Sequence, residues 1–144
     1  VEVADAEIRH AQRTGGDAAP REVDRAIARV LRQQGMVGID IVDISRIGDV
    51  VKKYGDKFLS RVFTQQELEY AGKKRRMYES LAGRFAAKEA FIKAYGKRVG
   101  WREIEIIQRG GKPSIQCRGR LYEDVSISHE RAYAVAVVMI GKGE

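Results

Sequence analysis

The chain has little of the chemistry that cross-links a protein or carries it through a membrane. Among 144 residues there is one cysteine, Cys117, which excludes an internal disulfide. No apolar run approaches the 18 or more residues of a membrane span, and no pattern typical of a signal peptide is present. These absences predict a protein without a membrane segment that works in the cytoplasm.

Familiar catalytic signatures are also missing. The sequence has no P-loop, no dinucleotide-binding glycine fingerprint, no zinc-ligand spacing and no serine-hydrolase arrangement. Only two histidines occur, His10 and His129. His129 follows a short strand pattern, where it could bind a phosphate, orient a water or act as a base, or lie at the surface without a role.

Charge divides the chain into two parts. The first 35 residues contain no lysine and balance six arginines with six acids, so the whole net charge of +7 belongs to residues 36–144. Residues 21–34 have apolar side chains at helical spacing and predict one amphipathic helix in an N-terminal extension. The basic segment favours anionic partners, which include acidic proteins, nucleotides and nucleic acids.

Apolar periodicity predicts helices first and strands later. Helices are expected over 44–54, 58–62, 65–71 and 79–95, and strands over 36–42, 103–108, 114–117, 124–128 and 133–140. Thr64 and Glu67 are spaced as in a capping box, and Gly110-Gly111 is typical of a hairpin turn. This order predicts an α+β domain over 36–144, with one antiparallel sheet packed against a long central helix.

Two acidic residues lie in apolar surroundings. Glu89 belongs to a helix that is apolar almost all the way round, and Asp40 interrupts the apolar run 37–42. Buried acids need partners, and two carboxylates together with substrate phosphates suit Mg²⁺. Spacing alone leaves a simpler alternative open, in which Glu89 pairs with Lys93 and Asp40 pairs with an arginine.

Two lysines of the same helix and a glycine turn offer contacts for phosphate. Lys88 lies on the apolar face, and its ammonium could reach a phosphate or only solvent. Lys93 could neutralise charge beside a metal or assist a hydroxyl nucleophile. Gly111 and Lys112 at a hairpin tip could also hold a phosphate, although most such turns are only turns.

Four motifs together resemble the holo-acyl-carrier-protein synthases, the small class of 4′-phosphopantetheinyl transferases. They are Gly-Ile-Asp-Ile at 38–41, Gly-Arg-Phe-Ala-Ala-Lys-Glu-Ala at 83–90, Gly-Lys-Pro at 111–113 and Ser-Ile-Ser-His at 126–129. The resemblance covers residues 36 to about 140 and leaves the first 35 residues outside. It favours a shared role for Asp40 and Glu89 over separate ion pairs.

The resemblance implies an enzyme that moves the phosphopantetheine arm of coenzyme A to a serine of apo acyl carrier protein, releasing adenosine 3′,5′-bisphosphate. It implies Mg²⁺ on Asp40 and Glu89, with Lys93 assisting the serine. Coenzyme A contacts would come from Lys88, Gly111, Lys112, Pro113 and His129. The serine proton could pass to a metal-bound water, to Lys93 or to Glu89.

The resemblance also implies partners. Arg46 and Arg76 match positions that grip the acidic helix of the carrier protein, which would belong to fatty acid or polyketide synthesis. Related enzymes are homotrimers with active sites between protomers. Two alternatives stay open: a basic module that binds RNA or DNA, and a family member that binds its ligands without turnover.

Overall fold

A computed structural model describes Arg25 and residues 36–141 of the chain. Residues Met36–Ile140 form one compact unit. The helix expected over 21–34 lies outside the described residues, apart from Arg25, which is helical and exposed. The division into an extension and a transferase domain therefore stays a prediction.

Helices come first and most strands come later, so the predicted α+β class is confirmed. The elements are β1 (Met36–Asp43), α1 (Ile44–Tyr54), α2 (Asp56–Val62), α3 (Gln65–Gly72), α4 (Met77–Tyr95), a 3-10 turn (Trp101–Glu103), β2 (Ile104–Arg109), β3 (Lys112–Cys117), β4 (Arg120–Tyr122), β5 (Val125–His129) and β6 (Tyr133–Ile140).

The strands form two antiparallel sheets where the sequence predicts one. The first sheet has the order β1-β6-β5 and the second the order β2-β3-β4. Strand β4 was not predicted, because three residues carry too little periodicity to detect. Arg118 and Gly119 turn the chain into it, both with positive φ, and Glu103 holds the Arg118 guanidinium at 3.1 Å.

Helix α4 lies at the centre of the fold. It packs against β1, β6, β5, α1 and α3, and residues on every side of it are buried. The helix ends at Gly96, which adopts the left-handed conformation. Cys117 is buried in β3, as its position in a strand pattern predicts. No helix among the described residues is long and apolar enough to cross a membrane.

Local caps set two helix starts. Thr64 and Glu67 form the predicted capping box at the start of α3. Asp43 caps α1 by accepting a hydrogen bond of 2.9 Å from the backbone N–H of Ser45. The β2–β3 hairpin turns through Gly110 and Gly111, both with positive φ, as a two-residue turn of this kind requires.

Gly38 allows β1 to lie directly on α4. A Cβ atom at this position would come within 1.7 Å of the carbonyl oxygen of Ala90. Side chains alternate along a strand, so Asp40 points to the same face as Gly38, towards the helix. The close approach of the two backbones thus brings Asp40 to the C-terminal half of α4.

The opposite face of the first sheet is apolar, and no element among residues 36–141 covers it. Val37, Ile39 and Ile41 on β1 are each about 60% exposed, and Met139, the partner of Val37 on β6, is 55% exposed. Large apolar side chains grouped in this way mark an interaction surface.

Candidate active site

Asp40, Glu89 and Lys93 gather at one place between β1 and α4. The Lys93 ammonium donates hydrogen bonds to Oδ1 of Asp40 at 3.1 Å and to the carbonyl oxygen of Ile39 at 2.9 Å. Burial raises the pKa of Glu89, and the charge of Asp40 raises it further, while Lys93 lowers it. The two acids therefore lie within electrostatic reach of each other.

This arrangement decides between the two pairings left open by the spacing. Lys93 bonds to Asp40 across the strand–helix contact, and no ion pair joins Asp40 to an arginine among the described residues. Glu89 has a raised pKa and forms no ion pair within the described part of the chain, although the charge of Lys93 still acts on it. Two neighbouring carboxylates that share one lysine are short of positive charge.

We call the group of Asp40, Glu89 and Lys93 the acid site. Its chemistry fits a magnesium ion. Within residues 36–141 no cluster of three or more histidine, cysteine or acidic side chains could hold a metal. Two carboxylates are nevertheless enough for Mg²⁺, which keeps several water ligands and takes further oxygens from substrate phosphates. Burial is the main cause of the raised pKa of Glu89 and the charge of Asp40 the second, and a cation bound between the two acids would offset both.

Lys88 does not belong to this site, which corrects its assignment as a coenzyme A contact. Its side chain is fully buried and pairs with the equally buried Glu67 at 2.5 Å. The ammonium also donates hydrogen bonds to the carbonyl oxygens of Val62 and Trp101, at 2.7 and 3.0 Å. All three ammonium protons have acceptors inside the protein, so none is left for a ligand.

A basic cavity of about 340 Å³ lies at the other end of α4. Four residues predicted to bind coenzyme A or carrier protein line it: Arg76, Gly111, Pro113 and His129. The connector before α4, the β2–β3 hairpin and the end of β5 thus meet around one space. Asp40, Glu89 and Lys93 do not line it.

The remaining predicted residues lie elsewhere. Lys112 lines a second cavity of about 320 Å³ together with Arg109 and Arg120, and Pro113 borders both spaces. Arg46 is exposed on α1 and lines neither cavity. The single chain therefore separates the acid site, the basic cavity and Arg46.

Arg84 also lines the basic cavity, although the sequence alone predicted no role for it. It is only 4% exposed, stacks on the Tyr70 ring at 4.0 Å and donates to Oγ of Ser80 at 3.0 Å. Its Nε is buried and has no partner among the described residues. A buried guanidinium with a free donor beside a cavity is suited to an anion.

Comparisons with known proteins can be set against this geometry. The family profile described as the 4′-phosphopantetheinyl transferase superfamily matches residues 36–138. The chain belongs to this superfamily. The resemblance deduced from the motifs is thereby confirmed, and so is the prediction that the chain is an enzyme of the transferase class. The match begins at residue 36, where the composition of the chain changes.

Relatives in this superfamily are named holo-[acyl-carrier-protein] synthases. The protein from Halothermothrix orenii is 43% identical over 121 residues, which cover 74% of this chain and 97% of the relative. The Helicobacter pylori enzyme, solved with coenzyme A, has a TM-score of 0.66 at 33% identity over 74% of this chain and 100% of that one. The Bacillus anthracis enzyme, solved with CoA (3′,5′-ADP), has a TM-score of 0.62 at 36% identity over 73% and 94%.

The family match covers the motifs and both cavities, but it assigns no role to a side chain of this protein. Arg84 and Glu79 are two charged residues of the cavity whose roles the sequence did not predict. For Arg84 a signal was present: it is a charged residue among small side chains of a buried helix, the same anomaly that singled out Glu89. Glu79 lies in the first helical turn, where an acid is ordinary, so no signal distinguished it.

Proposed function

We propose that this chain transfers the 4′-phosphopantetheine group of coenzyme A to a serine of apo acyl carrier protein and releases adenosine 3′,5′-bisphosphate, with Mg²⁺ as its metal. The serine oxygen bonds to the pantetheine-bearing phosphorus, and the bond from that phosphorus to the bridging oxygen of the diphosphate breaks. The observation that carries the proposal is the convergence of Asp40 and Glu89, from two separate elements, beside Lys93.

The two acids would hold the metal, which supplies positive charge to the diphosphate when it is bound. Glu89 and Asp40 contribute oxygens, and Lys93 provides a fixed cation next to them. The serine proton would pass to Glu89, to a water held by Glu89, or to Lys93 in its neutral form; as the ammonium that bonds to Asp40, Lys93 donates and cannot accept.

The basic cavity is the proposed subsite for the nucleotide half of coenzyme A. Arg84, Arg76 and His129 are cationic or proton-donating groups that line it. Gly111 and Pro113 shape one wall. Adenosine 3′,5′-bisphosphate carries two phosphate groups, and a buried arginine with an unused donor matches such an anion. Lys112 is proposed to contact coenzyme A from the hairpin tip.

The carrier protein is proposed to dock through Arg46 and Arg76. Arg46 lies exposed on α1, and the Arg76 side chain is 80% exposed. A net charge of +7 would steer an acidic partner towards this surface. Arg76 also lines the basic cavity, so it is expected to affect both substrates, whereas Arg46 affects only the carrier protein.

A homotrimer with active sites between protomers is the proposed assembly. The apolar face of the first sheet offers Val37, Ile39, Ile41 and Met139 for burial. The acid site and the basic cavity are separate within one chain, and association would let the acids of one protomer face the cavity of the next. The proposed setting is the cytoplasm, where the enzyme would activate the carrier of fatty acid or polyketide synthesis.

One mass measurement tests the proposed activity. Purified protein, Mg²⁺ and coenzyme A should add about 340 Da, one phosphopantetheine group, to an apo acyl carrier protein. The same mixture with a carrier whose modifiable serine is replaced by alanine is the control. An unchanged carrier mass with the folded enzyme would reject the proposal.

The nucleic-acid alternative makes a different prediction. A basic binding module would bind RNA or DNA with an affinity that falls steeply with salt and does not respond to Asp40→Ala. The transferase requires Asp40 and shows turnover. Measuring both properties on the same two preparations separates the two functions.

A further inference from the structure

One carboxylate stands among the cations of the basic cavity. Glu79, in the first turn of α4, lines the cavity together with Lys74, Arg75, Arg76 and Arg84. Its side chain is only 16% exposed. An acid in a site suited to phosphate opposes binding by its charge, so its contacts need an explanation.

Both oxygens of Glu79 face basic side chains of the cavity. Oε1 contacts Nδ1 of His129, the last residue of β5, and the two form an ion pair when the ring is protonated. Oε2 lies 3.5 Å from a guanidinium nitrogen of Arg76. Among the described residues none bonds to Nε2 of His129, the ring nitrogen on the side away from Glu79.

We propose that Glu79 is a positioning residue, which fixes the His129 ring by accepting its Nδ1 proton and so presents Nε2 to a phosphate group of the bound nucleotide. This inference rests on the proposed function, because it assumes that the cavity takes the nucleotide half of coenzyme A. An imidazole has two distinct nitrogens, and the bond made by one decides what the other offers.

The physical advantage lies in preorganisation. A half-exposed histidine at the end of a strand is free to rotate, and its ring would have to be ordered when the ligand binds. The Glu79 carboxylate would hold the ring before binding, and the Arg76 guanidinium already offsets part of its charge. With phosphate on one side and carboxylate on the other, a ring protonated on both nitrogens donates in both directions.

The kinetic test compares Glu79→Ala with wild type in the carrier-protein assay. We expect the KM for coenzyme A to rise about tenfold with kcat changed by less than about threefold, since a lost charge-assisted hydrogen bond has that size. Glu79→Gln keeps an acceptor for the Nδ1 proton and should recover most of the loss. Glu130→Ala removes an exposed acid next to His129 and is the matched control, expected to behave as wild type.

A double-mutant cycle asks whether Glu79 acts through His129. In a His129→Ala background, Glu79→Ala should raise the KM for coenzyme A by less than about twofold, because the group that it positions is gone. An equal increase in both backgrounds would overturn the proposal and leave Glu79 acting through Arg76 or through the helix. Thermal melting of each variant confirms that the assays use folded protein.

Nitrogen-15 NMR of the full chain provides a readout that does not depend on turnover. The chain has only two histidines, and the His129→Ala spectrum assigns the signals. We expect Nδ1 of His129 to carry a proton in wild type, with Nε2 shifting when adenosine 3′,5′-bisphosphate is added. A ring with the proton on Nε2 alone would overturn the proposal.

The two proposals can fail separately. If wild type leaves the carrier protein unmodified, the proposed function fails, and the NMR result still decides whether Glu79 fixes the ring. If wild type modifies the carrier and Glu79→Ala has an unchanged KM for coenzyme A, the positioning role fails while the transferase function stands.

Discussion

Lys88 and Glu89 are neighbours on one helix and belong to two charged clusters of opposite character. Lys88 and Glu67 form a fully buried pair in which every ammonium proton has an acceptor inside the chain. Glu89 lies with Asp40 and Lys93, where the Lys93 side chain is 52% exposed and two acids share one cation. The first cluster is complete and holds the fold, whereas the second is short of positive charge and suits a ligand.

Removing the buried Lys88–Glu67 pair should have the largest effect of all the variants, and the effect should be a loss of stability. Lys88→Met leaves the Glu67 carboxylate buried without its cation, so we expect the free energy of unfolding to fall by about 3–5 kcal/mol in urea titrations. Lys57→Met, at an exposed lysine of α2, should change it by less than about 0.5 kcal/mol. A loss below 1 kcal/mol for Lys88→Met would show that the pair is not structural.

Breaking the incomplete cluster should affect catalysis and spare the fold. We expect Asp40→Asn and Glu89→Gln each to lower the rate of phosphopantetheine transfer by about 10²–10³-fold, because charge stabilisation at the diphosphate is lost. Melting temperatures should stay close to that of wild type, and Glu130→Gln should keep full activity. Normal turnover in either acid variant would contradict the assignment of the metal site.

A substitution at Gly38 should lower both the stability and the activity of the protein. A methyl group in Gly38→Ala would overlap the Ala90 carbonyl, so β1 must move away from α4. We expect the free energy of unfolding to fall by about 3 kcal/mol, the upper part of the range for overpacking, and activity to fall with it as Asp40 shifts. Gly72→Ala, where a Cβ meets nothing within 4 Å, is the matched control. Unchanged activity in Gly38→Ala would mean that the position of Asp40 tolerates this displacement.

The smallest expected effect is on the pH dependence of stability. Folding raises the pKa of Glu89 above its ordinary value of 4.5. At a pH between 4.5 and the pKa in the folded state, the folded chain therefore binds more protons than the unfolded chain. The free energy of unfolding contributed by Glu89 is therefore highest at low pH and falls as pH rises through the folded pKa.

Urea titrations between about pH 4 and pH 8 measure this slope. Glu89→Gln should remove the decline, and millimolar Mg²⁺ should reduce it in wild type by balancing the acid pair. A Glu89→Gln protein with the same pH dependence as wild type would show that Glu89 does not sense its neighbours.

Most local structure could be predicted because its causes are local. The bounds of α1, the capping box at Thr64 and the glycine hairpin at 110–111 follow from caps and turns that neighbouring residues supply. The anomaly of Glu89 and Asp40 was also visible, since acids in apolar patterns are rare. Their grouping came from the resemblance to a family rather than from spacing.

The predictions that failed were those that depend on contacts far apart along the chain. Lys88 looked able to reach a phosphate, because its stem fitted the apolar face and its partner Glu67 lies 21 positions earlier on another helix. The structure has two sheets where one was predicted, because β1 pairs with β6 from the far end of the domain while β2, β3 and β4 pair only with one another. Arg84 was given no role from the sequence, because its contact with Tyr70 and its place in the cavity wall depend on tertiary packing.

The sequence by itself determined the α+β order of elements, the caps and turns, the transferase motifs and the two misplaced acids, because propensity and hydrophobic period act over a few residues. Only the tertiary structure decided which cation each acid receives. Lys93 goes to Asp40 and Lys88 to Glu67 because strand–helix and helix–helix packing set those distances. Neighbouring residues on a helix point in directions about 100° apart, so Lys88 and Glu89 face different parts of the protein. Only the residues packed around the helix distinguish a charge that stabilises the fold from one that is free to bind a ligand.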